Sequence, residues 1–114
     1  YHRKNVYKFI EKNKSILNKK KTVFFSLNLT ARKPEKSTAD TNPYVIKFLK
    51  KVDWEPSIRE VFAGKLDYPN LDFLNKLAIL FIMVITNGPK DTSKSYELTD
   101  WKRVDKLANT IKNF

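Results

Sequence analysis

The chain has no cysteine, a single histidine, a single methionine and two glycines among its 114 residues. Without cysteine there is no disulfide framework, no thiolate nucleophile and no zinc knuckle, which fits a reducing, cytosolic setting. His2 stands alone, so neither a histidine metal cluster nor a Ser-His-Asp arrangement can be assembled. Hydrolytic and metal chemistry are therefore poorly supported. The first residues carry no apolar segment of the secretory type. The longest charge-free stretch, Leu77 to Pro89, is also short. Its solidly apolar centre, LAILFIMVI, is about half the roughly 20 residues needed to cross a bilayer.

What is present is enough for one small domain. Hydrophobic residues make up 41% of the chain and aromatic residues 13%, ample for a packed core. The net charge of +11 invites a nucleic-acid or anionic-membrane partner. Its makeup argues against a specific anion site, because nineteen of the 23 basic residues are Lys and four are Arg, beside abundant Asn. Such a bias inflates basicity without selecting a partner, so solvated surface is the first reading and no nucleic-acid partner is expected.

The apolar pattern predicts a helix over 4–18, with Val6, Phe9, Ile10, Ile16 and Leu17 on one stripe. A lysine turn follows at 19–21. Residues 22–29 form a strand apolar on both faces, as suits a parallel strand covered on each side. Residues 30–41 are polar loop. Asn42-Pro43 starts a helix that runs to about Val52 and buries Val45, Ile46, Leu49 and Val52. A second strand is expected from Ile58 to Gly64. This strand-helix-strand order is a βαβ unit and makes the fold class α/β. Beyond it come a turn at 67–70, a helix over 71–87 ended by Gly88 as its C′ residue, and a short strand at 94–98. A last amphipathic helix is capped by Thr99 or Asp100 and carries Val104, Leu107, Ala108 and Ile111. Two parallel strands with bare edges, in a chain opening at Tyr1, lead to the expectation of the C-terminal portion of a larger doubly wound domain.

TVFFSLNLTARKPEKSTADTNPY, running from Thr22 to Tyr44, resembles the menaquinone-dependent protoporphyrinogen IX dehydrogenases, flavodoxin-like enzymes of haem synthesis. The resemblance continues through Lys47-Phe48-Leu49 and Val61-Phe62-Ala63-Gly64-Lys65-Leu66. It then takes in Tyr68-Pro69, Asp91-Thr92-Ser93-Lys94 and Thr99-Asp100-Trp101, covering essentially the whole chain in order. It implies a flavodoxin-like doubly wound parallel sheet that binds FMN, present here as its fourth and fifth strands. An insertion of the long-chain type, with an apolar helix, is implied at about 66–97. The implied activity removes six electrons from protoporphyrinogen IX and passes them to a membrane quinone, menaquinone or ubiquinone. The implied location is cytoplasmic, peripheral to the inner membrane. The family's Ser/Thr-rich phosphate loop has no counterpart among these residues, where Gly64 and Gly88 are the only glycines.

On this resemblance, Asn28, Leu29, Thr30, Ala31 and Arg32 line the isoalloxazine, with backbone and short polar groups on its hydrogen-bonding edge and a cation beside it. An ordinary solvated loop is the alternative. Tyr1 and His2 fall where an aromatic residue would stack on the ring's other edge, or where a terminus would simply fray. Asp91 and Thr92 belong to a second loop near the cofactor, in which Pro89 and Lys90 depart from the family pattern. Arg32, Lys33 and Lys36 would hold the porphyrinogen propionates, or remain solvated. No catalytic side chain is expected, since the redox chemistry belongs to the flavin. The 71–87 helix has more apolar positions than one buried face needs, so it docks on lipid or quinone, or is core. Two classes stand beside the enzyme reading: a flavodoxin-like electron carrier without porphyrin activity, and a basic non-enzymatic module binding nucleic acid or anionic membrane.

Overall fold

A computed structural model describes residues 3–114. Its centre is a pair of parallel strands, β1 (Val23–Leu27) and β2 (Ile58–Phe62), in register from Val23 opposite Ile58 to Leu27 opposite Phe62. Parallel strands need a crossover, and helix α2 (Pro43–Val52) supplies it. The expected βαβ unit is therefore present. Helix α1 (Lys4–Leu17) precedes β1. A second, antiparallel pair follows: β3 (Lys65–Asp67) with β4 (Ser95–Glu97). Helix α3 (Phe73–Ile85) lies between those two strands in sequence, and helix α4 (Trp101–Lys112) closes the chain.

Period-two alternation divides the parallel pair into two faces. Phe24 and Val61 face α1 and α2: the Phe24 ring stacks on Phe48 at 5.2 Å, and Tyr7 of α1 meets Phe48 edge-on at 4.8 Å. Ile10, Val45, Phe48, Leu49, Val52 and Trp54 complete this core. The other face, Phe25, Leu27, Glu60 and Phe62, looks toward α4, where the Arg103 guanidinium pairs with Glu60 and donates to the Ser37 carbonyl. Helices thus lie on both sides of the parallel pair. The second side is only partly covered, however, since Phe25 remains 55% and Leu27 63% exposed. The radius of gyration, 15.8 Å, exceeds the roughly 13 Å of a compact chain of this length.

Several expectations need adjusting. Both parallel strands are shorter than the apolar runs suggest. β1 ends before Asn28, whose side chain caps a 3-10 turn at Leu29–Arg32. β2 ends before Gly64, which at φ +80° takes a conformation that side-chain-bearing residues rarely adopt. The chain swivels there into β3, a strand the turn reading of 67–70 left out. The loop at 30–41 holds that 3-10 turn and a second at Pro34–Lys36. Helix α3 ends in a Schellman motif, with the Gly88 N–H on the Met83 carbonyl at 2.8 Å. The left-handed C′ residue is Asn87, at φ 56°, and not Gly88. Asp100, not Thr99, caps α4.

Burial also departs from the apolar stripes. In α1 only Ile10 is fully buried, while Phe9 and Ile16 are exposed; in α2, Ile46 is exposed and Phe48 takes the core position. In α4 Leu107 is buried and Ile111 exposed. Part of each apolar helix face is therefore left exposed.

Candidate functional site

A cavity of about 450 Å³ opens where β1 gives way to the 3-10 turn. It is lined by Ser26, Leu27, Asn28, Leu29, Thr30 and Arg32 from the strand and its turn, by Tyr44 from α2, and by Ile79, Ile82 and Met83 from α3. Its volume falls within the roughly 300–1,000 Å³ of small-molecule sites, and its lining, mostly apolar with a few convergent polar groups, matches their chemistry.

The position of the turn follows from two amides. Asn42, completely buried, caps α2 by accepting from the Tyr44 and Val45 N–H groups. The same residue exchanges hydrogen bonds with Asn28: each side-chain amide donates to the other's oxygen at 3.1 Å. Asn42 also donates to the Lys36 carbonyl at 2.9 Å, and Asn28 accepts from the Ala31 N–H at 3.2 Å. The polar loop is therefore pinned to the helix start at two points. Buried amides with every group partnered favour one conformation strongly, because any alternative leaves a desolvated polar atom unpaired.

Arg32 closes one end of the cavity. Its guanidinium donates to the Leu29 carbonyl at 2.9 Å and to Thr86 Oγ1, at the C-cap of α3, at 2.8 Å. A helix C-terminus favours a cation. Among the described residues no carboxylate lies within ion-pair distance of Arg32. A positive charge thus lines an otherwise mainly apolar space without a protein counter-ion. Below the cavity floor, Leu66, Tyr68 and Met83 form a second small core with Leu29, Ile79 and Tyr96 packed on it. Tyr68 donates to the Pro89 carbonyl at 2.6 Å; burial pushes its phenol pKa up, Tyr96 adds to the rise, and Arg32 opposes it.

Of the residues singled out from sequence, Asn28, Leu29, Thr30 and Arg32 are brought together around this space. Ala31 is not: it points into the main core. Lys33 and Lys36 are half-buried and stand outside the lining. Asp91 and Thr92 also lie outside it. Asp91 is held below the ordinary carboxylate range by the Ser93 hydroxyl and N–H, which it accepts at 2.6 and 3.0 Å. Tyr1 and His2 lie outside the described residues. Sequence reasoning missed Tyr44, Ile79, Ile82 and Met83 as lining, and Thr86 as a partner of Arg32. The i, i+3, i+4 spacing of Ile79, Ile82 and Met83 marks one helix face, but a segment apolar all round gave no sign of which face mattered.

The lining suits a planar heteroaromatic ring with one polar edge. Thr30 offers a hydroxyl without a partner among the described residues, Arg32 offers charge, and Tyr44 and the α3 residues offer apolar walls. Among the described residues the cavity lining offers no equivalent seat for a phosphate. The helix N-termini of α2, α3 and α4 are already capped by Asn42, Asp72 and Asp100, two of them carboxylates that repel an anion, and that of α1 lies outside the lining. Among the described residues no helix is long and apolar enough to cross a membrane, and no three acidic or histidine side chains cluster as metal ligands would.

The Flavodoxin domain family matches residues 1–93. Among curated relatives, the protoporphyrinogen IX dehydrogenase [quinone] of Leishmania major is 43% identical over 101 residues, covering 89% of this chain and 44% of its own length. The proteins of the same name from Escherichia coli K12 and O157:H7 are each 41% identical over 103 residues, covering 90% of this chain and 57% of theirs. The chain spans about half the length of the curated relatives it matches. No solved structure matches it.

Proposed function

Because the chain belongs to the flavodoxin domain family, we propose that it carries the ring-facing half of an FMN site, as the C-terminal part of a single flavodoxin-like domain. In the full-length protein it serves a quinone-dependent protoporphyrinogen IX dehydrogenase. The observation that carries this reading is the cavity itself, which gathers Asn28, Leu29, Thr30 and Arg32 against α3. When bound, the flavin supplies the electron transfer. The chain's own residues bind and shield. Thr30 and backbone groups of the turn meet the polar edge of the ring. Arg32 would hold a positive charge beside the ring, where it would favour the negatively charged reduced form. Tyr44, Ile79, Ile82 and Met83 would form the cavity's apolar walls.

Asn28 contributes by holding the turn, because its side-chain amide is engaged by Asn42 and Ala31. Arg32, with Lys33 and Lys36 on the same short segment, forms the cationic rim for the two propionates of the porphyrinogen. We read residues 66–97 as an insertion. Phe73, Leu74, Leu77, Phe81, Ile82, Val84 and Ile85 of its helix are exposed, and Lys76 is its one charged residue. Such a face suits the cytoplasmic surface of the inner membrane, where menaquinone or ubiquinone is reached.

The test is to express the full-length protein and assay it with protoporphyrinogen IX and a soluble quinone analogue. A yellow protein that forms porphyrin supports the proposal. A colourless one refutes it, and affinity for polyanions that falls steeply with salt would then favour the basic binding module. A yellow protein inert toward protoporphyrinogen would leave a flavodoxin-like electron carrier.

A further inference from the structure

We propose that Thr86, at the end of α3, is a positioning residue for Arg32, so that the seating of α3 sets how much positive charge the cavity presents. This rests on the flavin reading of the cavity. A free arginine side chain samples many rotamers, and an exposed guanidinium aimed into solvent would do little for a ring 28–32 residues line. Here two fixed acceptors define it. The Leu29 carbonyl, on the same turn, takes one terminal N–H at 2.9 Å, and Thr86 Oγ1, 54 residues away in sequence, takes the other at 2.8 Å.

Thr86 is itself fixed. Its hydroxyl donates to the Ile82 carbonyl at 2.7 Å, which leaves its lone pairs for the guanidinium. Gly88 lies close to the arrangement: a methyl group at that position would lie 3.0 Å from Arg32 Nη2 and 3.3 Å from Nε, so a side chain there would press on the guanidinium by a few tenths of an ångström. No acidic side chain among the described residues competes for it. The side-chain hydrogen bond that joins the 3-10 turn to the end of α3 is therefore the one that orients the cavity's charge.

The experiment uses the full-length, FMN-loaded protein and reads the two-electron midpoint potential, which a merely structural role would not shift in a fixed direction. Arg32→Ala is expected to weaken binding of reduced relative to oxidised FMN about tenfold, a fall of about 30 mV. Thr86→Val is expected to give at least a threefold loss, about 14 mV, in the same direction, and Thr86→Ser to restore the parent value. The double variant Arg32→Ala/Thr86→Val should match Arg32→Ala alone, because Thr86 acts only through the arginine. An unshifted Thr86→Val, beside a shifted Arg32→Ala, overturns the positioning role and leaves the flavin reading standing. So do losses that multiply in the double variant. An Arg32→Ala protein with unchanged potential overturns the assignment of Arg32 to the ring and this proposal with it.

Discussion

Replacing Asn42 with alanine should be the costliest single polar substitution in this chain outside the cavity. The residue is completely buried and makes five hydrogen bonds through its side chain: from Tyr44 N–H, Val45 N–H and Asn28 Nδ2 to its oxygen, and from its nitrogen to Asn28 Oδ1 and the Lys36 carbonyl. Loss of an Asn N-cap alone costs about 1 kcal/mol. The Asn28 amide and the Lys36 carbonyl are then left without their partner, at about 1–3 kcal/mol for buried polar groups. The expected total is about 2–4 kcal/mol, a large part of the 5–15 kcal/mol that typically holds a domain together. At about 2.1 cal/mol/K of unfolding entropy per residue, 114 residues give a fall in Tm of about 8–17 °C.

Urea unfolding of Asn42→Ala, Asn28→Ala and the double variant measures both the total and the coupling. Asn42→Ser should lie between parent and Asn42→Ala, because its hydroxyl keeps the helix cap and loses the amide's bonds to Asn28 and Lys36. The coupling between Asn28 and Asn42 should be about 1 kcal/mol, as for residues sharing one buried network. A cost for Asn42→Ala below about 1 kcal/mol, or additive single variants, would refute the idea that this amide pair fixes the turn after β1.

Other perturbations follow from the same packing. Gly88→Ala would set a methyl group 2.4 Å from the sulfur of buried Met83, and should cost about 1–3 kcal/mol as overpacking, read by urea unfolding; an unchanged midpoint would contradict the close packing of this helix end. Asp67 is held below its ordinary value of 3.8 chiefly by the Ser95 hydroxyl, with Asn70 adding to the effect. Its stabilisation of the β3–β4 pair should be fully present above that ordinary value and lost as pH falls through the lower folded one. Opening free energies of the Leu66 and Tyr96 amides should show this acid limb, and Asp67→Asn should lack it. Leu74→Gln and Phe81→Gln change side chains 77% and 67% exposed, so they should leave Tm nearly unchanged. If α3 meets lipid, each should reduce co-sedimentation with anionic vesicles several-fold; undiminished sedimentation would remove α3 from the contact. The isolated 114 residues should bind FMN more weakly than about 1 μM by fluorescence quenching, since the cavity lining among the described residues holds no phosphate seat.

The sequence alone determined the local structure. A run apolar on both faces placed β1, and an N-cap before proline placed the Asn42-Pro43 start of α2, because both are properties of neighbouring residues. Through the family resemblance it also pointed to 28–32, with Tyr1, His2, Asp91 and Thr92, as the place to look for a cofactor. Only the tertiary structure decided which of those residues share a space. It sent Ala31 into the core, left Lys33, Lys36, Asp91 and Thr92 outside the lining, and matched Asn28 with Asn42 and Arg32 with Thr86. Those partnerships join segments 14 and 54 residues apart, and no local pattern encodes which polar group meets which across such a gap. The same holds for α3. Its composition showed more apolar surface than one face needs, but only packing against Tyr68 and Leu66 selected Ile79 and Met83 as the inner side and left Phe73, Leu74, Leu77, Phe81, Val84 and Ile85 exposed.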